Sequence, residues 1–386
     1  MLKRTRSFLV LVMLLMTVTM SAQVTTATMS GKVTAQDEPI IGATIVAIHE
    51  PSGTRYGTVT NVSGQFNLQG MRTGGPYKVE ISYVGYQTAI YKGINLLLGE
   101  NYVLNVSLKE SSELLDEVVV TASKESNMKS DRAGAIMNAN RDMISNTPTI
   151  SRSISDIMRL SPQGADVGNG FAVGGGNYRQ SFVTVDGAAF NNTFGLGGNL
   201  PANGSPISLD ALEQVINAVT RSGDNQFRGT AYMYFNNENL KGSKVDDYEL
   251  LRSKAQYYTY GASFGGPIIK DKLFFFVNGE YEDNVTAGSN YRPRTALGES
   301  YSGGNIHRPL QSDMDDMRGF LLNKYNFDPG KYNDYSTDTP AYRVMARVDW
   351  NANQNNKVSF RFTKTHTKDS NFPTSSVSPL STSALY

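Results

Sequence analysis

Cysteine is absent from the 386 residues of this chain, and histidine is scarce. The absence of cysteine excludes a disulfide framework, a thiolate zinc site and a cysteine nucleophile. The three histidines, His49, His307 and His366, are too far apart in the sequence to suggest a histidine metal site. Stability must therefore come from core packing and from backbone pairing within sheets.

The chain also lacks a large excess of charge and the common nucleotide-binding motifs. Its formal net charge is +1, which gives no electrostatic attraction to nucleic acid. The glycine-rich stretch at 168–174 lacks the spacing of a dinucleotide fingerprint, and no Gly-Lys-Ser or Gly-Lys-Thr triplet of a phosphate-binding loop occurs. We therefore expect no enzyme activity, no cofactor, no metal site and no nucleic-acid partner.

Glycine and two of the aromatic residues are abundant. The sequence contains 36 Gly, 21 Tyr and 17 Phe against one Trp, and its mean hydropathy is −0.34. Aromatic richness without overall hydrophobicity is typical of outer-membrane β-barrels, because only every second strand residue meets lipid. Soluble β proteins can share this composition, so it supports a β-rich class without deciding between the two.

The N-terminus predicts export. Lys3 and Arg6 precede an unbroken apolar stretch at 8–16, and small residues follow up to Ala22. This pattern predicts a secretory signal peptide at 1–22. The alternative is a transmembrane helix, but the apolar stretch is well short of the roughly 20 residues that span a bilayer.

Residues 29–109 predict a small β-sandwich. Short β-prone runs alternate with turn residues about every 8 to 12 positions, which is typical of such folds. The clearest predicted strands are Gly42–Val46, Gln65–Leu68 and Val79–Val84.

The segment 115–122 is a β-prone run with an acidic start. A run of this kind can add itself as a strand to the sheet of another protein. The alternative is that it forms the last strand of the preceding domain.

Residues 123–224 predict a mixed α and β unit. A helix is predicted with Ser151 or Ser153 as its cap and with Ile154, Ile157 and Met158 on one face. A turn at Asp186–Gly187 and a short helix that runs into a strand over Ser208–Val215 complete the prediction.

Residues 229–386 alternate polar and apolar side chains with a period of two. About five strands of roughly nine to eleven residues are predicted, the length that crosses an outer membrane at a tilt. Short turns alternate with a long loop at 283–340, as in outer-membrane barrels. A soluble β-sandwich is the alternative, since its strands alternate in the same way.

The predicted strands have one charged or polar face. Tyr260 and Phe264 lie opposite Thr259, and other strands carry Glu280 and Arg343 on their second face. Charged faces cannot enter a dry core without partners. We therefore expect the polar face to contact water and the aromatic face to contact lipid or a core.

Four parts of the chain resemble known families. Residues 29–109 are similar to the carboxypeptidase regulatory-like domain, a prealbumin-type sandwich, through Pro39–Ala43, Thr60–Phe66 and Tyr83–Tyr86. The segment Gly265–Phe276 resembles the Oar subfamily of TonB-dependent receptors. The first resemblance implies an accessory module without peptidase activity.

The segment 115–122 resembles the TonB box of Bacteroidetes TonB-dependent outer-membrane receptors, and 123–224 resembles their plug domain. The sequence passes directly from Val215 to Ile216, where these relatives have a further glycine-rich segment, so the plug is expected to be shortened near 215/216. The resemblance implies that TonB binds the following residues: Asp116, Glu117, Val118, Val119, Val120, Thr121 and Ala122.

The expected fold class is mainly β: a prealbumin-like β-sandwich, an α+β plug domain and the first strands of an antiparallel transmembrane β-barrel. Five strands cannot close a barrel in lipid, so we expect an incomplete barrel, either a fragment or a protein that does not transport. The expected location is the cell outer membrane, and the expected partners are the periplasmic domain of TonB, outer-membrane lipid and an exterior ligand such as a peptide or glycan. The alternative is a secreted or surface-exposed β-rich binding or adhesion protein without transport activity.

Overall fold

The computed structural model describes residues 26–110, 118–121, 139–149, 152–161, 164–167, 170–181, 183–190, 200, 205–215, 218–240, 242, 244–245, 248–249, 255–287, 292–300, 306–330, 336–353 and 356–368. The predicted signal peptide at 1–22 lies outside these residues. The described chain is mainly β and comprises three parts: the sandwich (26–121), the middle unit (139–220) and the wall sheet with its loops (228–367).

The sandwich contains ten strands in the described residues: β1 (Ala27–Ala35), β2 (Glu38–Pro39), β3 (Thr44–His49), β4 (Thr54–Val59), β5 (Gln65–Met71), β6 (Gly74–Ser82), β7 (Ala89–Leu96), β8 (Asn101–Val103), β9 (Val106–Ser107) and β10 (Val118–Thr121). One five-stranded sheet has the order β2-β1-β5, with β8 and β9 pairing β1. The second has the order β10-β7-β6-β3-β4.

Alternating apolar residues from both sheets form the sandwich core. Ile45 and Ala47 on β3 are fully buried, as are Val79 and Ile81 on β6, whereas the residues between them face outward. The buried hydroxyl of Thr60 donates to the carbonyl of Ile40 at 2.7 Å and accepts from the amide of Ala43 at 2.9 Å. The predicted strands are present, with bounds that differ by a few residues from those predicted.

The middle unit has nine short helices and strands in the described residues: β11 (Ala139–Asn140), α1 (Arg141–Asn146), α2 (Ile154–Met158), β12 (Gly164–Asp166), β13 (Phe171–Val173), β14 (Thr184–Val185), β15 (Ala188–Ala189), β16 (Leu212–Val215) and β17 (Val219–Thr220), with 3-10 turns at Tyr178–Gln180 and Leu209–Ala211. A three-stranded sheet has the order β11-β16-β17, and β12-β13 and β14-β15 form hairpins.

Helix α2 begins as the sequence predicts. Ser153 is its N-cap and forms a reciprocal capping box with Asp156. Ile154, Ile157 and Met158 are buried in one cluster. The predicted transition from a short helix to a strand is also present, since the 3-10 turn at 209–211 runs directly into β16.

The third part contains β18 (Arg228–Asn237), β19 (Lys244–Val245), β20 (Tyr248–Glu249), β21 (Gln256–Ile269), β22 (Leu273–Ala287), β23 (Arg292–Arg294), β24 (Ile306–Leu310), α3 (Gln311–Tyr325), β25 (Ser336–Asp338), β26 (Ala341–Asn351) and β27 (Lys357–Thr367), with a 3-10 turn at Glu238–Leu240. The wall sheet is antiparallel with the order β18-β21-β22-β26-β27, and β25 pairs β22. It is an open sheet over the described residues.

Connections in the wall sheet alternate in length as predicted. Only 270–272 separate β21 from β22, and 352–356 separate β26 from β27, whereas 288–340 lie between β22 and β26. This long connection contains α3, which we did not predict because its residues read as a polar loop. No helix within the described residues has the length and apolar character that crossing a bilayer requires.

The two faces of the wall sheet differ sharply. Tyr260, Phe264 and Phe360 are exposed on one face, with 45, 46 and 68% of their surface accessible. The opposite face packs on the middle unit, because Phe276 and Met345 of the wall belong to the middle unit's core cluster. The predicted alternation is thus confirmed, and the middle unit covers the polar face.

Candidate functional site

The described part of the predicted TonB-binding segment lies at the edge of the sandwich. Strand β10 pairs in parallel with β7, with Val118 beside Ala89 and Thr121 beside Lys92. Of the predicted site residues, Val118, Val119, Val120 and Thr121 are therefore placed on one strand. The remaining three lie outside the described residues: Asp116, Glu117 and Ala122.

The chain passes the residues just before β7 on its way to this edge. Tyr86 and Glu110 form an isolated antiparallel bridge, and the amide of Gln87 donates to the carbonyl of Lys109 at 2.9 Å. The chain thus runs antiparallel to residues 86–87 at Glu110 and runs parallel to β7 from Val118, which lies beside Ala89 at the start of β7.

A buried ionic cluster lies where the wall sheet covers the middle unit. Arg343 on β26 donates from Nη1 to Glu280 Oε1 and Glu282 Oε2, each at 2.8 Å, and from Nε to the carbonyl of Ser205 at 2.9 Å. The three charged side chains are 2, 6 and 5% exposed. The expectation that this face contacts water is wrong here: the charges are buried because each has an oppositely charged or hydrogen-bonding partner.

The same cluster reaches into the middle unit. Ser208 donates its hydroxyl to Glu280 Oε2 at 2.8 Å, and Tyr232 on β18 donates to the same oxygen. Ser208 also caps the 3-10 turn by accepting from the amide of Asp210. One carboxylate therefore connects three wall strands with the middle unit.

A second ionic cluster lies nearer the sandwich. Arg347 on β26 pairs with Asp349 at 2.9 Å and donates to the carbonyl of Thr220 at 2.8 Å. Asp349 accepts from Ser222, and Asp186 in the turn of the β14-β15 hairpin pairs with Arg361 on β27. The predicted turn at 186–187 is thus fixed to the wall by charge.

A third set of charges holds the middle unit together. Asp210 pairs with Arg152 at 2.7 Å and with Arg141 at 3.3 Å. The guanidinium of Arg152 lies 4.4 Å from the ring centre of Tyr234 on β18, within the range of a cation–π interaction.

The sandwich contacts the short turns of the wall sheet. Asn351 donates to the hydroxyl of Thr54 at 3.0 Å, and the amide of Asn225 donates to the carbonyl of Pro51 at 2.9 Å. Arg72 donates to the carbonyl of Gly223 at 3.1 Å. The β3-β4 turn therefore lies against the ends of the wall strands.

His49 lies at this contact and is buried. Its Nδ1 is 2.7 Å from the hydroxyl of Ser52. Burial, together with the positive charge of Arg72, lowers the pKa of His49 to about 3. The imidazole is therefore neutral at physiological pH and acts as a hydrogen-bonding core group.

A cavity of about 190 Å³ lies where the sandwich, middle unit and wall sheet meet. Arginines from all three parts line it, among them Arg72, Arg141 and Arg347, while Glu213 and Asp224 offset part of their charge. Within the residues that the structure describes, no group of three His, Cys, Asp or Glu side chains is arranged to hold a metal ion.

Sequence reasoning identified the alternation and the segment 115–122, but it missed the ionic clusters. Glu280 and Arg343 are 63 residues apart in sequence and meet as neighbours in the β22-β26 register. The presence of both charge signs on the inward faces was the available signal.

Two domain families match the chain. Residues 28–109 match the carboxypeptidase regulatory-like domain, and residues 219–384 match an outer membrane beta barrel domain. The chain thus combines a carboxypeptidase regulatory-like domain with a region similar to an outer membrane beta barrel domain, and the second match indicates the cell outer membrane as its location.

Two relatives are similar to the chain. It is 26% identical over 256 residues to the TonB-dependent transporter Oar of Myxococcus xanthus, covering 60% of this chain and 22% of the relative. It is 30% identical over 167 residues to the TonB-dependent receptor SusC of Bacteroides thetaiotaomicron, covering 40% of this chain and 15% of the relative.

The chain is an Oar- and SusC-like homologue of the TonB-dependent transporters, which are not enzymes. It spans about a fifth of the length of Oar and a smaller share of SusC. Among solved structures, a type II cohesin–X-dockerin complex from Acetivibrio cellulolyticus aligns over 22% of this chain with 21% identity and a TM-score of 0.18, too low to establish a shared fold.

Proposed function

We propose that the chain takes part in TonB-dependent uptake across the outer membrane. The observation that carries this proposal is the two-faced wall sheet. Its aromatic face is bare, as required for contact with lipid. Its charged face carries ion pairs within the sheet, such as Arg343 with Glu280, and Arg361 pairs with Asp186 of the separate unit that lies against it. A water-soluble sandwich would not leave Phe264 and Phe360 exposed on one continuous face.

In this proposal the wall sheet is the first part of a transmembrane barrel and residues 123–224 are the plug. The sandwich at 29–109 is a prealbumin-like accessory module on the side of the short turns. The direct pairing of β16 with β17 in register Leu212 with Thr220 supports a plug that closes tightly near 215/216.

The proposed transport begins with ligand binding and requires displacement of the plug. An exterior ligand, of which peptides and glycans are candidates, binds at the long loops on the side of 288–340. TonB pairs with the segment Asp116 to Ala122 and pulls on the chain that leads into the plug. The plug is held to the wall by hydrogen bonds such as Ser208 with Glu280, by the pair of Asp186 with Arg361, and by contact of Phe276 and Met345 with its core cluster. These contacts must break when the plug moves.

Replacement of Val119 by proline tests TonB binding. Proline removes a backbone donor from the strand, so we expect the purified full chain to lose retention of the TonB periplasmic domain. Val62→Pro is the matched control. Val62 is 76% exposed and is the second residue of a turn in which the amide of Gly64 donates to the carbonyl of Asn61. Proline is favoured at that position of a turn.

Equal retention of TonB by Val119→Pro and Val62→Pro would contradict the assignment of the segment. Recovery of the wild-type chain in the soluble periplasmic or secreted fraction, with none in washed outer membranes, would favour the alternative, a secreted or surface β-rich binding protein. Recovery in washed outer membranes supports the proposed barrel.

A further inference from the structure

Strand β10 uses only one of its two hydrogen-bonding edges. It is the terminal strand of the sheet β10-β7-β6-β3-β4, so β7 occupies one edge. On its other side no strand pairs with it among the residues that the structure describes. An unpaired strand edge is a template for a further strand from another chain.

Four in-register pairs join β10 to β7 in the residues that the structure describes. Val118 to Thr121 pair with Ala89 to Lys92. The next residue, Gly93, has φ +79, a conformation that departs from a regular strand. The edge of β7 thus matches the length of β10.

A short connection keeps the segment at this edge. The chain is paired to Tyr86 at Glu110 and to Ala89 at Val118, so only 111–117 lie between the two attachment points. A tether of this length gives an effective concentration on the order of millimolar. Pairing of the segment with the edge of β7 is therefore an intramolecular event that does not depend on protein concentration.

The free edge of β10 lies away from the wall sheet. The sandwich contacts the wall sheet and the segment that leads into it through Pro51 and Thr54 at the β3-β4 turn and through Arg72 after β5. Strand β10 is at the opposite edge of the sheet, four strand spacings or about 19 Å from β4. Strand β10 also lies beside the residues of β7 that pair with residues 79–81 of β6. The β3-β4 turn is level with Tyr77, nearer the start of β6.

We propose that the sandwich presents the segment 118–121 to TonB as a preformed edge strand, and that TonB adds to β10 and extends the sandwich sheet while β10 stays paired with β7. This inference rests on the proposed function, in which the segment is the TonB-binding element. The partner is recognised by backbone pairing with the outer edge of β10. Pre-ordering reduces the conformational entropy that TonB binding must otherwise overcome.

A disulfide across β10 and β7 tests this inference. The chain contains no cysteine, so Lys92→Cys combined with Thr121→Cys creates a single possible bond. In-register neighbours in a sheet are about 4.8 Å apart, which is within the Cα separation that a disulfide spans. The control is Ile48→Cys with Arg55→Cys, an in-register pair of β3 and β4 at a distance from the segment.

The full-length double variant is purified in detergent, and its affinity for the TonB periplasmic domain is measured in the oxidised and reduced forms. We expect the bond to form without TonB and to form with undiminished yield when TonB is bound. The affinity of the oxidised form for TonB should be equal to that of the reduced form or higher by up to about tenfold. The tenfold gain applies if one molecule in ten is pre-ordered in the reduced form. The control pair should bind TonB equally in both redox states.

Three results would overturn the inference: failure of the 92–121 bond to form, loss of cross-linking yield when TonB is saturating, or weaker TonB binding by the oxidised form than by the reduced one. The last two would mean that TonB takes the segment away from the sandwich. If Val119→Pro in the otherwise native chain keeps full TonB retention, the proposed function itself fails, which separates that failure from failure of the presentation model.

Discussion

Loss of Arg343 should destabilise the contact between the wall sheet and the middle unit more than loss of any exposed arginine. In Arg343→Met, Glu280 and Glu282 remain buried at 6 and 5% exposure without their cation, and the carbonyl of Ser205 loses its donor. Removal of one partner from a buried ion pair typically costs about 3–5 kcal/mol, because the remaining charge is left uncompensated. We expect a loss of that size in the free energy of unfolding.

The measurement is denaturant unfolding of the full chain in detergent, followed by tryptophan fluorescence of Trp350 on β26. Arg318→Met is the matched control. Arg318 makes a two-point pair with Asp328 at 2.9 and 2.7 Å, but both side chains are more than 40% exposed. Exposed pairs contribute about 0–1 kcal/mol.

A triple variant separates charge from packing. Adding Glu280→Gln and Glu282→Gln to Arg343→Met removes the uncompensated charges, while the amide oxygen at position 280 still accepts from Ser208 and Tyr232. We expect the triple variant to regain at least half of the lost stability. A single variant no less stable than Arg318→Met, or a triple variant less stable than the single one, would refute this account of the cluster.

Two further predictions concern the contact between the sandwich and the wall. The pKa of His49 is about 3 in the folded chain, below its unfolded value near 6.5, so the stability that neutral His49 contributes is complete above pH 6.5 and is lost as the pH falls toward 3. Compared with wild type, His49→Asn should show a shallower fall in the free energy of unfolding across this window, by at most about 1.4 kcal/mol per pH unit. Parallel curves for the two proteins would contradict the assignment. Gly53 has φ +64, and a Cβ there would lie 2.2 Å from Asp271 Oδ1, so Gly53→Ala should loosen the contact between the sandwich and the wall and speed proteolysis between them. Gly70→Ala is the control, since Gly70 has φ +66 but open space around it, and it should not change the rate of proteolysis. Equal proteolysis rates for the two variants would show that the contact does not depend on the close approach at Gly53.

Several local features follow from sequence because they depend on neighbours along the chain. The alternation in β21 predicts which residues are exposed, since successive strand residues point to opposite faces. Ser153 predicts the start of α2 because a hydroxyl at that position bonds the first free amides of a helix. Helix α3 escaped prediction because it has no buried residue and hence no apolar stripe.

The remaining features depend on which distant segments meet. The sequence determined that Glu280 and Glu282 share the polar face of one strand and that Arg343 lies on the polar face of another. Only the β22-β26 register brings Arg343 within 2.8 Å of both carboxylates, and the middle unit buries them. It also marked 115–122 as a β-prone run, with pairing inside the chain and pairing with another protein as alternatives. Only the tertiary structure shows that 118–121 pair with β7, because that pairing depends on β7 offering an edge close to where the chain passes at Glu110. Local periodicity fixes strand identity and facing, whereas pairing and burial are fixed by contacts between residues far apart in sequence.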